Sequence, residues 1–148
     1  MFQSRTHNCN ELRLADAGKK VTIVGWLENV RKVSKNLAFL VIRDFYGTTQ
    51  AVVETEEIME IIDSINCEST ISIEGVVRER SSKNLEIPTG EIEIEVTDLR
   101  LLSKSETPPF EIIEDCQTAE LTRLKYRYLD LRRPDLQKNI LLRHKITK

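Results

Sequence analysis

The chain has 148 residues and carries 22 Lys and Arg residues against 24 Asp and Glu residues, a formal net charge of −2. Its apolar runs all fall short of the roughly 18 residues that a membrane span needs, and its acidic balance argues against a protein that coats polyanions in bulk. The charge is uneven, because residues 51–120 carry −13 whereas residues 1–50 and 121–148 carry +4 and +7. A local nucleic-acid site is therefore compatible with the basic parts of the chain.

Three cysteines, Cys9, Cys67 and Cys116, are far apart and form no CxxC pair. This spacing suggests neither a zinc site nor a disulfide framework. The first 13 residues contain no apolar segment typical of a secretory signal. We therefore expect reduced thiols, no metal site, no membrane association and a cytoplasmic location.

Three strands are predicted in the first third of the chain. Residues 21–30 are rich in β-branched side chains and predict a strand, with a bulge or bend at Gly25. Residues 32–36 are polar and turn-like. Residues 37–44 predict a second strand and residues 48–54 a third, joined by a tight connection. The three strands together form a meander.

The pattern then changes from strand to helix and back. Apolar residues follow helical spacing in residues 56–65 and alternate with polar residues in 70–80. A turn-rich loop covers residues 81–90, and a fifth strand runs from residue 91 to about 102. Three strands, a helix and two strands is the order of the all-β OB-fold, a five-stranded Greek-key barrel. SH3-like barrels and split sheets remain alternatives, because element order does not determine topology.

OB-folds commonly bind oligonucleotides over strands 2 and 3 and over the loops that join strands 1–2 and 4–5. In this chain these places correspond to residues 31–36, Phe39, Gln50 and residues 81–90. They are the first candidates for a binding surface.

The last third predicts a linker followed by helices. Residues 104–117 contain Pro108 and Pro109 and lack strand alternation. A helix is predicted from Thr118 to about residue 131, and Pro134 ends it. A second helix begins after Asp135 and has no stop signal before the last residue. We expect a domain at residues 1–103 and, at 104–148, a hinge with the start of a truncated second domain.

Several motifs carry a resemblance to a known family. Residues 123–134, Arg-Leu-Lys-Tyr-Arg-Tyr-Leu-Asp-Leu-Arg-Arg-Pro, resemble the hinge of class II aminoacyl-tRNA synthetases of the aspartate, asparagine and lysine group, and most closely the aspartate member. Further motifs similar to bacterial-type aspartyl-tRNA synthetases are residues 5–13, Gly25-Trp26, Arg43-Asp44 with Gly47 and Gln50, and residues 89–93. The resemblance covers the whole chain and implies an OB-fold that recognises the tRNA anticodon.

The resemblance also implies roles for five residues. Phe39 would stack on the central anticodon uridine, and Gln50 would bond the uracil edge with its donor and acceptor. Arg31 would contact a phosphate or base, while Asn84 and Glu93 would help to recognise a guanine at the first anticodon position. Without the resemblance, the apolar strand pattern favours Phe39 as a core residue, and Arg31, Gln50 and Glu93 fit solvated surface positions.

For the whole protein, the resemblance implies a homodimeric ligase that activates L-aspartate with ATP and Mg²⁺ and transfers it to tRNA-Asp. The catalytic motifs are expected beyond Lys148, so residues 1–148 are expected to hold no catalytic or cofactor-binding residue. Two rival interpretations stay open. One is the N-terminal domain of an asparaginyl- or lysyl-tRNA synthetase, and the other is a stand-alone OB-fold that binds single-stranded nucleic acid. The sequence leaves open whether tRNA-Asn is also charged.

This chain alone should neither activate aspartate nor bind ATP tightly. It contains no glycine-rich phosphate loop and no class II arginine motif. The measurement is aspartate-dependent exchange of pyrophosphate into ATP by the purified 148-residue chain, where we expect only background exchange. Exchange above that of a no-protein control would contradict the prediction.

Overall fold

The computed structural model describes residues 4–148. Met1, Phe2 and Gln3, the start of the segment in which a secretory signal would lie, are outside the described part. The chain divides into two compact units, Met1–Thr107 and Pro108–Lys148. Among the described residues, no helix is long and apolar enough to cross a membrane.

The first unit contains a closed five-stranded barrel with the strand order β1-β2-β3-β5-β4. The strands are β1 (Lys20–Ser34), β2 (Leu37–Arg43), β3 (Thr48–Val53), β4 (Thr70–Glu79) and β5 (Ile92–Ser103), and α1 (Glu56–Asp63) lies between β3 and β4 in the chain. All neighbouring strands pair antiparallel except β3 and β5, which pair parallel. The predicted OB-fold barrel with one inserted helix is confirmed.

The first strand is longer and more irregular than predicted. It continues to Ser34, so that only Lys35 and Asn36 form the turn to β2. Of the bulge or bend predicted at Gly25, the bulge is wrong, because the register with β2 shifts instead at Glu28 and at Val33. Gly25 has a different role: a Cβ atom there would lie 2.5 Å from the carbonyl oxygen of Arg43. The missing side chain lets two strands approach closely.

Strand alternation separates the core from the outer surface. In β2, Ala38, Leu40 and Ile42 are fully buried inside the barrel. Since successive side chains of a strand point to opposite faces, the residues between them face outward. Helix α1 contributes to the same core, because its Ile58 and Met59 are buried in one cluster with these strand residues. The alternation therefore places Phe39 on the outside of the barrel.

Asp44 fastens the N-terminal segment to the turn between β2 and β3. Its Oδ2 accepts the backbone N–H of Cys9 at 2.9 Å, and its Oδ1 accepts those of Tyr46 at 2.7 Å and Gly47 at 3.2 Å. Arg5 forms an ion pair with Oδ2 at 3.6 Å. Burial, followed by the nearby charge of Asp44, raises the pKa of the Cys9 thiol to about 12. Cys9 is therefore an unreactive thiol, and its labelling rate measures whether the N-terminal segment stays bound to the β2–β3 turn.

The second unit contains α2 (Glu120–Lys125), α3 (Arg127–Asp130) and α4 (Pro134–Thr147). The single helix predicted from Thr118 is wrong, because the helix is interrupted at Tyr126, whose φ and ψ are −106° and 46°. The interruption changes the buried face. Leu121 is 82% exposed, whereas Leu129 packs in a small cluster with Phe110 and Ile112. The second helix, α4, begins at Pro134 rather than after Asp135 as predicted, because proline suits the first helical position; its N-cap is Arg133.

Replacing Asp44 should destabilise the first unit in proportion to the hydrogen bonds lost. Asp44→Ala leaves three N–H groups without their acceptor and should cost about 2–4 kcal/mol. Asp44→Asn should cost less, because its amide oxygen still accepts the two N–H groups of the turn. Some cost remains, because its NH₂ group cannot accept the N–H of Cys9. Urea unfolding measures both values, and thiol labelling in a Cys67→Ser/Cys116→Ser background should show faster reaction of Cys9. An Asp44→Ala variant as stable as the wild type, with Cys9 still protected, would refute this account.

Candidate nucleic-acid interface

Phe39 lies on the outer face of β2 and is partly exposed. Its cross-strand partners are Arg31 in β1 and Val52 in β3. The guanidinium carbon of Arg31 is 5.0 Å from the centre of the Phe39 ring. The hairpin register thus produces an aromatic ring on the surface, beside an exposed cation.

Gln50 and Glu93 lie together on the same outer face. Gln50 pairs with Val41, two residues along β2 from Phe39, so Phe39 and Gln50 are diagonal neighbours on one face, close enough for long side chains to interact. The Nε2 of Gln50 donates to Oε2 of Glu93 at 3.1 Å. The parallel pairing of β3 with β5 brings these two residues together, although they are 43 positions apart in the chain.

Arg78 lies beside Phe39, Gln50 and Glu93 and completes a row of side chains on the outer face. Sequence analysis did not identify it as a site residue. It lies opposite Glu93 in β4, and its Nε donates to Oε1 of Glu93 at 2.9 Å. Its terminal nitrogens reach Glu54 at 2.8 Å and Glu95 at 3.3 Å. The available signal was the alternation of β4, which places Arg78 on the outer face as a cation within a strongly acidic stretch.

The surroundings of Arg78 preserve its charge. Partial burial is the largest single influence and lowers the pKa of Arg78, but hydrogen bonds and charges from Glu54 and Glu93 together outweigh it and raise the pKa above its usual value. Arg78 therefore remains a cation that holds Glu93 in place. Glu93 itself is only 5% exposed. Its two bonds use two of about four lone-pair sites on the carboxylate, so acceptor capacity remains.

Asn84 belongs to the loop between β4 and β5. Its side-chain oxygen accepts the backbone N–H of Glu86 at 3.0 Å, and its own N–H donates to the carbonyl of Gly90 at 2.9 Å. The hydroxyl of Thr89 anchors the end of the loop to the carbonyl of Thr48 at 2.9 Å. Within residues 4–148, the side chain of Asn84 bonds its own loop rather than Gln50 or Glu93. The structure thus brings four of the five predicted residues onto one face and holds Asn84 in the adjoining loop.

This arrangement suits single-stranded nucleic acid. An exposed aromatic ring beside a guanidinium provides a stacking surface for an unpaired base, and an amide next to a carboxylate offers donors and acceptors for base edges. Among the described residues, no group of three or more His, Cys, Asp or Glu side chains could hold a metal ion. Fold and surface together define the class of nucleic-acid-binding OB-fold barrels.

Comparison with known families identifies the type of barrel. The sequence model of the tRNA anti-codon family, described as an OB-fold nucleic acid binding domain, matches residues 21–102, more than half of the chain. The chain therefore belongs to this family of tRNA anticodon-type OB-fold domains.

Curated relatives are similar over almost the whole chain. The aspartate–tRNA ligase of Mesoplasma florum is 51% identical over 142 residues, which are 96% of this chain and 24% of that protein. The aspartate–tRNA ligase of Lactobacillus johnsonii is 48% identical, with 99% of this chain covered and 24% of that protein. An aspartate–tRNA(Asp/Asn) ligase of Natranaerobius thermophilus is 49% identical, with 97% and 25% covered. The chain thus spans about a quarter of the length of these relatives.

Solved structures show the same fold. An asparaginyl-tRNA synthetase from Pyrococcus horikoshii superposes with a TM-score of 0.72 at 32% identity, covering 86% of this chain and 30% of that one. An aspartyl-tRNA synthetase from Entamoeba histolytica superposes with a TM-score of 0.72 at 28% identity, covering 82% and 31%.

Arg78 and Glu93 should be energetically coupled. Arg78→Gln leaves the buried Glu93 carboxylate without its cation and should cost about 1–3 kcal/mol, a range lowered because Arg78 is partly exposed. Arg78→Gln/Glu93→Gln should recover at least about 1 kcal/mol of this loss, since it removes the stranded charge. Urea unfolding of the two single variants and the double variant measures the coupling.

The matched control is Arg100→Gln on the same barrel. Arg100 is well exposed and pairs with Asp98 at 3.0 Å. Its loss should change the free energy of unfolding by less than about 1 kcal/mol. Additive effects of the Arg78 and Glu93 substitutions, or equal losses for Arg78→Gln and Arg100→Gln, would contradict the coupling.

Proposed function

We propose that this chain is the anticodon-recognising part of an aspartate–tRNA ligase and that its partner is tRNA-Asp. The single observation that carries the proposal is the row Phe39, Gln50 and Glu93, which presents a stacking ring, an amide and a carboxylate side by side on the outside of the barrel. The similarity to aspartate–tRNA ligases supports aspartate as the amino acid.

In this proposal, residues 1–103 bind the anticodon, and residues 104–148 form the hinge and the beginning of a catalytic domain. The whole protein binds ATP, Mg²⁺ and L-aspartate in that catalytic domain and acts as a homodimer. It works in the cytoplasm, where the thiols of Cys9, Cys67 and Cys116 stay reduced. The chain itself contributes recognition rather than chemistry.

The central anticodon base stacks on Phe39. In the free protein Arg31 covers this ring. Because arginine is long and this one is exposed, its guanidinium can move from the ring to the base or to a neighbouring phosphate. Gln50, a diagonal neighbour of Phe39, lies where it can bond the edge of the stacked uracil with its donor and its acceptor. Stacking supplies affinity, and the amide selects the base.

The first anticodon base is recognised by Glu93, with Asn84 assisting from the adjoining loop. A carboxylate accepts from the N1–H and N2–H₂ groups of guanine, a donor pair that the other bases lack. Arg78 orients this carboxylate, and Gln50 connects it to the neighbouring base position. Recognition of the first and second bases is therefore mechanically linked through one hydrogen bond.

The third anticodon base distinguishes tRNA-Asp from tRNA-Asn. A relative named aspartate–tRNA ligase and one named aspartate–tRNA(Asp/Asn) ligase have nearly the same sequence identity to this chain, 51% and 49%. Two stem-loops that differ only at this base separate an enzyme for tRNA-Asp alone from one that accepts both. Tighter binding of the asparagine stem-loop would instead favour an asparaginyl-type protein, for which the structural similarity to an asparaginyl-tRNA synthetase is the supporting observation.

Phe39→Ala and Leu40→Ala form a matched pair, because neighbouring residues of β2 point in opposite directions. Phe39→Ala should weaken binding of the aspartate anticodon stem-loop by about 1–3 kcal/mol, roughly 5- to 150-fold, and should leave the barrel folded. Leu40→Ala should cost about 2–5 kcal/mol of stability, while its folded fraction binds the stem-loop normally. The measurements are thermal unfolding and fluorescence anisotropy at constant salt, since phosphate contacts vary with salt.

The reverse result would end the stacking proposal. A strongly destabilised Phe39→Ala variant, whose folded fraction retains full affinity for the stem-loop, would assign Phe39 a purely structural role. The search would then move to other residues of the outer face.

A further inference from the structure

The hydroxyl of Thr89 joins the β4–β5 loop to strand β3. It donates to the carbonyl oxygen of Thr48 at 2.9 Å, and the backbone carbonyl of Thr89 accepts the N–H of Ile92 at 3.2 Å. Thr89 is only 2% exposed, whereas residues 81–83 and 85–88 of the same loop are exposed. Because a buried hydroxyl has no water to turn to, it keeps this partner. The end of the loop is therefore fixed both to β3 and to the start of β5.

This hydrogen bond lies just beyond the end of the ladder between β3 and β5. In residues 4–148 that parallel ladder begins with the pair Ala51 and Ile94. Gln50 and Glu93 directly precede this pair, and their side chains bond at 3.1 Å. The β3 end of the hydroxyl bond lies two residues, about 7 Å, before Gln50. The Thr89 hydroxyl therefore holds the two segments together next to Gln50 and Glu93.

Asn84 is tied to the same anchor within the loop. Its backbone N–H donates to the carbonyl oxygen of Gly90, the residue after Thr89, at 2.9 Å, and the N–H of Gly90 donates to Ile87 at 3.0 Å. The loop is so tight that a Cβ atom at position 90 would lie 1.6 Å from the carbonyl oxygen of Asn84. A displacement of Thr89 away from β3 would therefore move Asn84 with it.

The loop also sets the orientation of the Asn84 amide. The side-chain oxygen accepts the backbone N–H of Glu86 at 3.0 Å. Since an amide nitrogen cannot accept this N–H, the bond fixes which end of the amide is oxygen. In residues 4–148 the NH₂ group of Asn84 has no hydrogen-bond acceptor. Asn84 therefore offers a ligand donors rather than acceptors.

A guanine edge complements this pair of side chains. The proposed role of Glu93 is to accept from N1–H and N2–H₂, which leaves the neighbouring O6 as an acceptor for the NH₂ group of Asn84. Adenine carries an amino donor in place of O6, so the two donors would face each other. A correctly placed Asn84 would therefore favour guanine over adenine at this base position.

We propose that Thr89 is a positioning residue for recognition of the first anticodon base. Its hydroxyl holds the β4–β5 loop against β3, and the loop presents the Asn84 amide to the guanine edge that Glu93 binds. This inference rests on the proposed function, because it takes the anticodon as the ligand. Thr89 is too deeply buried to touch a base itself, so it acts through Asn84.

The test measures a guanine preference, defined as the Kd for an aspartate anticodon stem-loop with adenine at the first anticodon position divided by the Kd for the one with guanine. Fluorescence anisotropy at constant salt gives both values for the 148-residue chain. Thr89→Val removes the hydroxyl and keeps the branched shape, whereas Thr89→Ser keeps the hydroxyl. The matched control is Thr97→Val, because the hydroxyl of Thr97 in β5 also donates to a strand carbonyl, that of Glu74 at 3.2 Å.

Thr89→Val should lower the guanine preference about 5- to 10-fold, the contribution of one hydrogen bond. Thr89→Ser and Thr97→Val should stay within about 2-fold of the wild type. Asn84→Ala should lower the preference as much as Thr89→Val, and the double variant should lose no more than either alone, because both remove the same contact. A general loss of stability would weaken both stem-loops equally and leave the preference unchanged, so the ratio separates positioning from a merely structural role.

A Thr89→Val variant with the wild-type guanine preference, or a Thr97→Val variant that loses as much, would overturn the proposal. Losses that add when Thr89→Val and Asn84→Ala are combined would overturn it as well. If thermal unfolding shows that Thr89→Val does not fold, Gly90→Ala decides instead, because its Cβ atom displaces Asn84 while Thr89 keeps its hydroxyl. Gly90→Ala should lower the guanine preference by a similar factor, and an unchanged preference would end the proposal.

Phe39→Ala separates this inference from the proposed function. If Phe39→Ala binds like the wild type while Thr89→Val lowers the guanine preference, the positioning role stands and the stacking site fails. If Phe39→Ala weakens binding of both stem-loops while Thr89→Val behaves like the wild type, the stacking site stands and the positioning role fails. A wild-type chain that binds the two stem-loops equally, or binds neither, overturns both first-base recognition and the role of Thr89.

Discussion

Closure of the barrel is the constraint on which the rest of the structure depends. One strand, β1, must pair with β2 along one edge and with β4 along the other. Gly25 and Gly75 make this feasible, because a Cβ atom at either position would collide with the backbone of Arg43 or Glu95. The two glycines lie in paired strands, opposite Ile71 and Val21. At both positions the missing side chain lets neighbouring strands approach closely, which keeps β1 and β4 paired on both edges.

That register determines what the outer face can do. The inward positions of the strands are filled by apolar residues such as Ala38 and Leu40. The outward positions are therefore free to carry side chains that do not pack in the core. Phe39, Gln50, Glu93 and Arg78 then fall on four neighbouring strands. The proposed binding row of Phe39, Gln50 and Glu93 is thus a by-product of barrel geometry. Its one structural demand is the buried Glu93 carboxylate, which Arg78 satisfies.

The local sequence predicted the order of strands and helix well, because hydrophobic periodicity reports which face of a segment is buried. It could not reveal contacts made by distant pairing. The Gln50–Glu93 bond depends on parallel pairing between β3 and β5, and the Arg31–Phe39 contact depends on bulges at Glu28 and Val33. The break at Tyr126 was missed for a similar reason, since burial of Leu129 against Phe110 and Ile112 overrides a continuous helical pattern.

The acidic middle of the chain gains a physical role from this geometry. A strongly basic surface would hold any RNA through its phosphates, and discrimination would then depend on small differences within a large total affinity. Here the carboxylates of Glu54, Glu93 and Glu95 surround Arg78, and those of α1 neutralise two lysines of the β1–β2 hairpin. Long-range attraction is therefore weak beside the binding row. In the proposed complex, affinity comes from short-range stacking and edge-to-edge hydrogen bonds, and those are the interactions that depend on base identity.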